Sequence, residues 1–149
     1  MRSSSIILII IIFIISCDIF DNNASQSSVK KLYVTMQLTD QVAVFDTPAL
    51  NLLKIVEINF TGDNVIDTPH FIVIDEENGY WFVSTFESGY IGMYNLEDNT
   101  FIKAIIVGDR PALLVVNPNT TTLYASRMMS MMGVSGGETS EFNVIDYSS

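Results

Sequence analysis

The sequence predicts an all-β protein built from repeated four-stranded antiparallel sheets, and three observations predict it. First, segments recur at constant offsets. Pro69-His70-Phe71-Ile72-Val73-Ile74-Asp75 aligns with Pro111-Ala112-Leu113-Leu114-Val115-Val116-Asn117 at an offset of 42. Without a gap, Tyr80-Trp81-Phe82-Val83-Ser84 continues onto Thr122-Leu123-Tyr124-Ala125-Ser126. Tyr33-Val34-Thr35 matches Phe82-Val83-Ser84, and Val42 to Asp46 matches Ile91 to Asn95, both at an offset of 49. Second, each copy consists of short β-branched and aromatic runs separated by turn residues, and no helical period is sustained beyond the first residues of the chain. Third, the runs Phe71 to Ile74 and Leu113 to Val116 are apolar at every position, so both faces of their sheets need a cover.

The elements follow in order. Copy one, residues 29–60, is partial, with strands expected near Leu32, Val44 and Ile55. Copy two, residues 69–107, is complete, with strands over Phe71 to Asp75, Tyr80 to Phe86, Tyr90 to Asn95 and Phe101 to Val107. The Asn78-Gly79 pair suits a tight hairpin, because both residues tolerate positive φ. Glu97-Asp98-Asn99-Thr100 is a second polar turn, and Gly108-Asp109-Arg110-Pro111 interrupts the sheet and starts copy three, residues 111–149. Sheets of about this size that cover one another radially form a β-propeller. A β-sandwich also covers apolar faces, but its outer faces alternate and it requires no 42-residue repeat. The expected strands number three, four and three, about two and a half blades, too few for a closed ring of roughly four to eight blades. The chain therefore reads either as a truncated piece of a larger propeller or as an open arc that pairs its edge strands with another chain.

These repeats resemble the YVTN family of β-propeller repeats of bacterial and archaeal surface and periplasmic proteins. The namesake strand appears as Tyr33-Val34-Thr35-Met36, and more loosely as Phe82-Val83-Ser84-Thr85 and Tyr124-Ala125-Ser126-Arg127. The family's strand end corresponds to Val44-Phe45-Asp46-Thr47, Met93-Tyr94-Asn95-Leu96 and Val144-Ile145-Asp146-Tyr147, and its glycine-proline link to Val107-Gly108-Asp109-Arg110-Pro111. The resemblance spans Lys31 to Asp146 and implies a fold; its motifs carry no catalytic residue.

Residues 1–16 read as a signal peptide: Arg2 and three serines precede the apolar run Ile6 to Ile15, which stops at Ser16-Cys17-Asp18. The run is short of the roughly 20 apolar residues a membrane-spanning helix needs. Ile14-Ile15-Ser16-Cys17 resembles the lipobox of bacterial lipoproteins, which implies diacylation of Cys17, the chain's single cysteine. The alternative is an ordinary cleaved signal with an incidental cysteine. Asp18 resembles the inner-membrane retention signal of enteric bacteria. Residues 17–28 then form a lipidated N-terminus and a polar tether. The expected location is the cell envelope, on the periplasmic or extracellular side, with the membrane as partner through the lipid. The formal net charge of −10 becomes one unit more negative once Arg2 is removed with the leader. So acidic a domain repels nucleic acid.

Candidate chemistry is sparse. His70, the single histidine, follows Pro69 at the start of an innermost strand, from which it can reach a propeller's central channel, as can Asp67 and Arg110. One histidine without a free cysteine cannot assemble a zinc or haem site, and structural hydrogen bonding is its ordinary role. Met128, Met129, Met131 and Met132 form a cluster of soft thioethers that could hold Cu(I); the same residues also serve as pliable apolar filler. Otherwise no cofactor is expected. The carboxylates Asp63, Asp67, Asp75, Glu76, Glu77, Asp98 and Asp109 sit in turns, with neither EF-hand nor glycosidase spacing, and neither a nucleophile elbow nor a phosphate loop occurs. Two functions remain open: a non-enzymatic module that binds a protein or small molecule, and part of a catalytic or redox propeller, lactonase-like or copper-binding.

Overall fold

The computed structural model describes residues 30–62, 65–108, 110–128 and 142–148. Among them lie ten strands in three antiparallel sheets. The first sheet is a meander of β1 (Lys30–Met36), β2 (Gln41–Thr47) and β3 (Leu52–Glu57). The second runs in order through β4 (Pro69–Asp75), β5 (Tyr80–Thr85), β6 (Tyr90–Asn95) and β7 (Phe101–Ile106). The third comprises β8 (Pro111–Asn117), β9 (Thr122–Arg127) and β10 (Phe142–Asp146), with β9 in the middle. The three-four-three division is the one the repeats imply. Helix is confined, among the described residues, to single 3-10 turns at Gln37–Thr39 and Pro118–Thr120.

Register confirms that the copies superpose. Met93 pairs with Phe82 in sheet two as Val144 pairs with Tyr124 in sheet three, and Val83 faces Gly92 as Val34 faces Ala43. The hairpins of sheet two also share one build, repeating every ten residues. Gly79 N–H donates to Asp75 O at 3.0 Å, Gly89 N–H to Thr85 O at 3.1 Å and Asn99 N–H to Asn95 O at 3.0 Å, each donor in the left-handed region. The Asn78-Gly79 hairpin is consequently wider than the two-residue turn such a pair favours. Only Gly79 takes positive φ, and Asn78 instead closes a loop onto the Asp75 carboxylate, N–H to Oδ1 at 3.1 Å and Nδ2 to Oδ2 at 2.8 Å.

Alternation along β5 sends successive side chains to opposite faces, and each face meets a neighbouring sheet. Trp81 and Val83 of β5 and Tyr94 of β6 share a core with Val42, Val44, Val56 and Ile58 from the first sheet and its exit. Trp81 and Tyr94 stack there at 4.2 Å and 13°, with Tyr33 at 5.1 Å from the Trp81 ring. Phe82, Ile91 and Met93 share the other core with Leu114, Leu123, Ala125 and Tyr147. Each fully buried aliphatic side chain contributes about 1.5–3 kcal/mol, so the interfaces between sheets hold the arc together. Gly92 lets them close: a Cβ there would stand 2.5 Å from Phe60 Cζ and 2.8 Å from Tyr94 Cε2.

Polar contacts join the same interfaces. Lys31 Nζ donates to Leu96 O at 2.7 Å and Lys54 Nζ to Asp98 O at 2.9 Å, tying sheet one to a turn of sheet two. Ser84 Oγ donates to Ala112 O at 2.8 Å, and Tyr147 Oη to Asp75 Oδ2 at 2.5 Å, tying sheet two to sheet three. The expectation that the apolar runs are covered on both faces is met for Ile72, Val73 and Ile74 of β4, which pack against the two cores, but not for Phe71, 36% exposed, nor for β8, where Leu113 and Val115 lie exposed. A second sheet beside the third would be needed to cover Leu113 and Val115.

Candidate functional site

β4 and β8 begin alike. Thr68 (φ 59°) precedes Pro69 and Arg110 (φ 42°) precedes Pro111, both in the left-handed region that costs a non-glycine residue about 1–2 kcal/mol. The same hydrogen bond steadies each: Phe86 N–H donates to Thr68 O at 2.9 Å, and Met128 N–H to Arg110 O at 3.2 Å. Strand starts and strand ends are thereby gathered at one end of the arc.

Two of the residues singled out in the sequence meet there on a third. The His70 ring lies 5.5 Å from the Phe86 ring, and the Arg110 guanidinium carbon lies 5.4 Å from the centre of the same ring. A cation over an aromatic face gains about 0.5–1 kcal/mol when exposed. Arg110 Nη2 also approaches Glu87 Oε2 at 3.5 Å; with both side chains nearly half exposed, this pair contributes little to stability. Gln37, which matches Phe86 at the 49-residue offset, places Nε2 2.8 Å from His70 Nδ1. With the amide donating, Nδ1 accepts and the neutral ring carries its proton on Nε2. The cluster thus presents an imidazole, a carboxylate and an aromatic face from the second sheet and a guanidinium from the start of the third, with the Gln37 amide reaching in from the first.

Asp67 stands apart. It is fully buried, and its Oδ2 accepts from Phe60 N–H at 2.9 Å and Thr61 Oγ1 at 3.4 Å. Its position is that of a junction between β3 and β4, next to Tyr94, whose hydroxyl is pushed above its ordinary value by burial and then by the Asp67 charge. Asp40, which no sequence spacing marks, organises this junction: its Oδ1 accepts from Thr68 N–H at 2.8 Å and its Oδ2 from Asp67 N–H at 3.1 Å. Asp40 also borders an open cavity of about 300 Å³ lined by Thr39, Glu57, Asn59, Gly62, Val65 and Ile66.

Met128 is exposed, while Met129, Met131 and Met132 lie outside the described residues, as do Cys17, Asp18, Asp63 and Asp109. Among the described residues no group of three histidine, cysteine, aspartate or glutamate side chains is arranged to hold a metal ion. No helix among them is long and apolar enough to cross a membrane. Phe86, Glu87 and Gln37 are the members of the cluster that sequence reasoning missed; the equivalence of Phe86 to Gln37 and Met128 under the repeat offsets is the signal that could have found the first and the last.

Comparison with solved structures bears on the fold. Hydrazine synthase of Kuenenia stuttgartiensis is similar over 78% of this chain and 30% of its own, with a TM-score of 0.61 and 20% identity. A protein of unknown function from Bacteroides caccae matches 78% of this chain and 42% of its own at a TM-score of 0.59 and 19% identity. The chain has the fold of β-propeller blades. A candidate 6-phosphogluconolactonase from Bacteroides uniformis agrees, at a TM-score of 0.55 and 18% identity over 77% of this chain and 36% of its own. The chain thus spans less than half the length of each of these structures. No protein-family model and no curated protein sequence matches it.

Proposed function

We propose that this chain is a lipid-anchored propeller module of the bacterial cell envelope, built from YVTN-type repeats, that binds a ligand rather than transforming one. The observation that carries this reading is the convergence of His70, Arg110 and Glu87 around Phe86. A ring face flanked by a guanidinium and an imidazole suits a ligand that combines an oxyanion with a flat or apolar body, whether a small molecule or a protein loop. The export reading rests on the apolar run Ile6 to Ile15 and on Cys17. The strongly acidic composition argues against nucleic acid as the ligand.

The anchor is tested by feeding expressing cells a clickable fatty acid: label should enter the protein and vanish with Cys17→Ser. The binding reading is tested by a thermal-shift screen with aromatic and aliphatic carboxylates, in which hits are expected to disappear in both Arg110→Ala and Phe86→Ala. A second reading, a catalytic segment, draws on the similarity to a candidate 6-phosphogluconolactonase. Lactone hydrolysis by the purified chain, abolished by His70→Ala, would replace the binding reading. Copper, on the third reading, would be held by Met128, Met129, Met131 and Met132, and Cu(I) uptake that survives Met→Leu exchange at all four positions would remove it.

A further inference from the structure

The outer faces of the first and third sheets are the two halves of one interface. On sheet two, Phe82, Ile91 and Met93 are at most 2% exposed because sheet three covers them. Their counterparts on sheet three, identified by register, are Tyr124, Phe142 and Val144, which are 37%, 62% and 61% exposed. On the opposite side of sheet two, Trp81, Val83 and Tyr94 are equally buried beneath sheet one. Their counterparts on sheet one are Leu32 and Val34, 43% and 40% exposed, and the half-buried Phe45. The uncovered face of sheet three is thus of the kind that mates, twice within this chain, with the kind left uncovered on sheet one.

We propose that a second copy of this chain occupies these faces, sheet three of each copy stacked on sheet one of the other. The joint between copies continues the two interfaces already formed, repeating the joint between neighbouring sheets position by position. Val144 then meets Val34 as Val44 meets Val83 in the first core. Such a contact is head to tail, and it closes when the rotation completes a ring. The described residues of two copies bring six sheets, inside the range of roughly four to eight blades found in closed propellers. The interface is apolar while each chain carries a formal charge of −10, so added salt should tighten the pair by screening repulsion.

Analytical ultracentrifugation of the purified chain should give the mass of two chains, falling to one on dilution and shifting toward two as salt is raised. Val144→Lys and Val34→Glu should each yield monomers that keep the β circular-dichroism signature. Mixed in equal amounts, the two variants should recover the two-chain mass, since one joint is then wild type and the other sets Lys against Glu. A variant that does not fold is replaced by Val144→Thr or Val34→Thr, each expected to weaken association about tenfold. A wild-type chain that stays monomeric at every concentration and salt level overturns the proposal and assigns these faces to further blades or to another protein. A dimer indifferent to both substitutions, or a mixture that stays monomeric, overturns it equally.

Discussion

Tyr147 shows how much one side chain carries in so small a domain. Its ring lies 4.9 Å from that of Phe82 and edge-on to Tyr80, and its hydroxyl donates to the buried Asp75 carboxylate at 2.5 Å. Tyr147→Phe leaves the packing and removes the donor, so a loss of about 1.5–3 kcal/mol in urea unfolding is expected, as for other hydrogen bonds to charged groups. Burial also raises the hydroxyl pKa of Tyr147, helped by Asp75; burial raises Tyr94 as well, and it lifts Tyr33 to about 12. A raised pKa means that the folded state holds its proton more tightly than the unfolded chain does. The stability it confers is whole below the ordinary tyrosine value of 10.0 and is lost as pH rises through the folded value. The urea midpoint should therefore fall between about pH 10 and 12, together with a rise in tyrosinate absorbance. A midpoint that stays flat across that window would show these hydroxyls to be solvated.

The hairpins set the behaviour of each sheet. Gly79 and Gly89 hold the same place in consecutive loops, at φ 76° and 75°, but their surroundings differ. A Cβ on Gly79 meets nothing within 4 Å, whereas one on Gly89 would stand 3.2 Å from the Gly108 backbone. Gly79→Ala should cost about 1 kcal/mol from backbone conformation alone. Gly89→Ala should cost more, because Gly89 O also accepts from Val107 and Gly108 N–H, both at 3.0 Å, and the two segments cannot easily part. Equal losses in chemical denaturation would remove the close approach as a cause. The turn positions themselves were legible, since Gly, Asn and Asp recur between the strand runs. Their width was not, because the Asn78-Gly79 pair is also what a two-residue turn uses, and the Asp75 side chain chose between them.

At the scale of the whole molecule, stability rests on stacking one sheet upon the next, and two stacking faces remain uncovered. A chain that pairs with its own kind through those faces should melt at a temperature that rises with protein concentration. Differential scanning calorimetry over a hundredfold dilution series checks this: a constant melting temperature would mean that the three sheets are self-sufficient. Hydrogen exchange provides the internal comparison. Amides of β5 and β6, sheathed on both sides, should exchange more slowly than those of β10, whose Phe142 and Val144 face outward.

The sequence alone determined the number of sheets, the strand order within each and the equivalence of their positions. These depend on period-two patterning, turn chemistry and constant offsets, all of which act over a few residues or repeat along the chain. Tertiary structure decided what those positions do. His70 and Arg110, forty residues apart, meet because both abut Phe86, a side chain one residue beyond the repeat motif that ends at Thr85. Asp67, placed by the sequence among residues able to reach the channel, is enclosed at a junction that Asp40 pins from 27 residues away. Val73 and Val115 occupy the same place in the repeat, yet Val73 packs against the second core while Val115 is 62% exposed. Whether such a side chain is buried is not a property of its own strand but of the sheet that does or does not stand beside it.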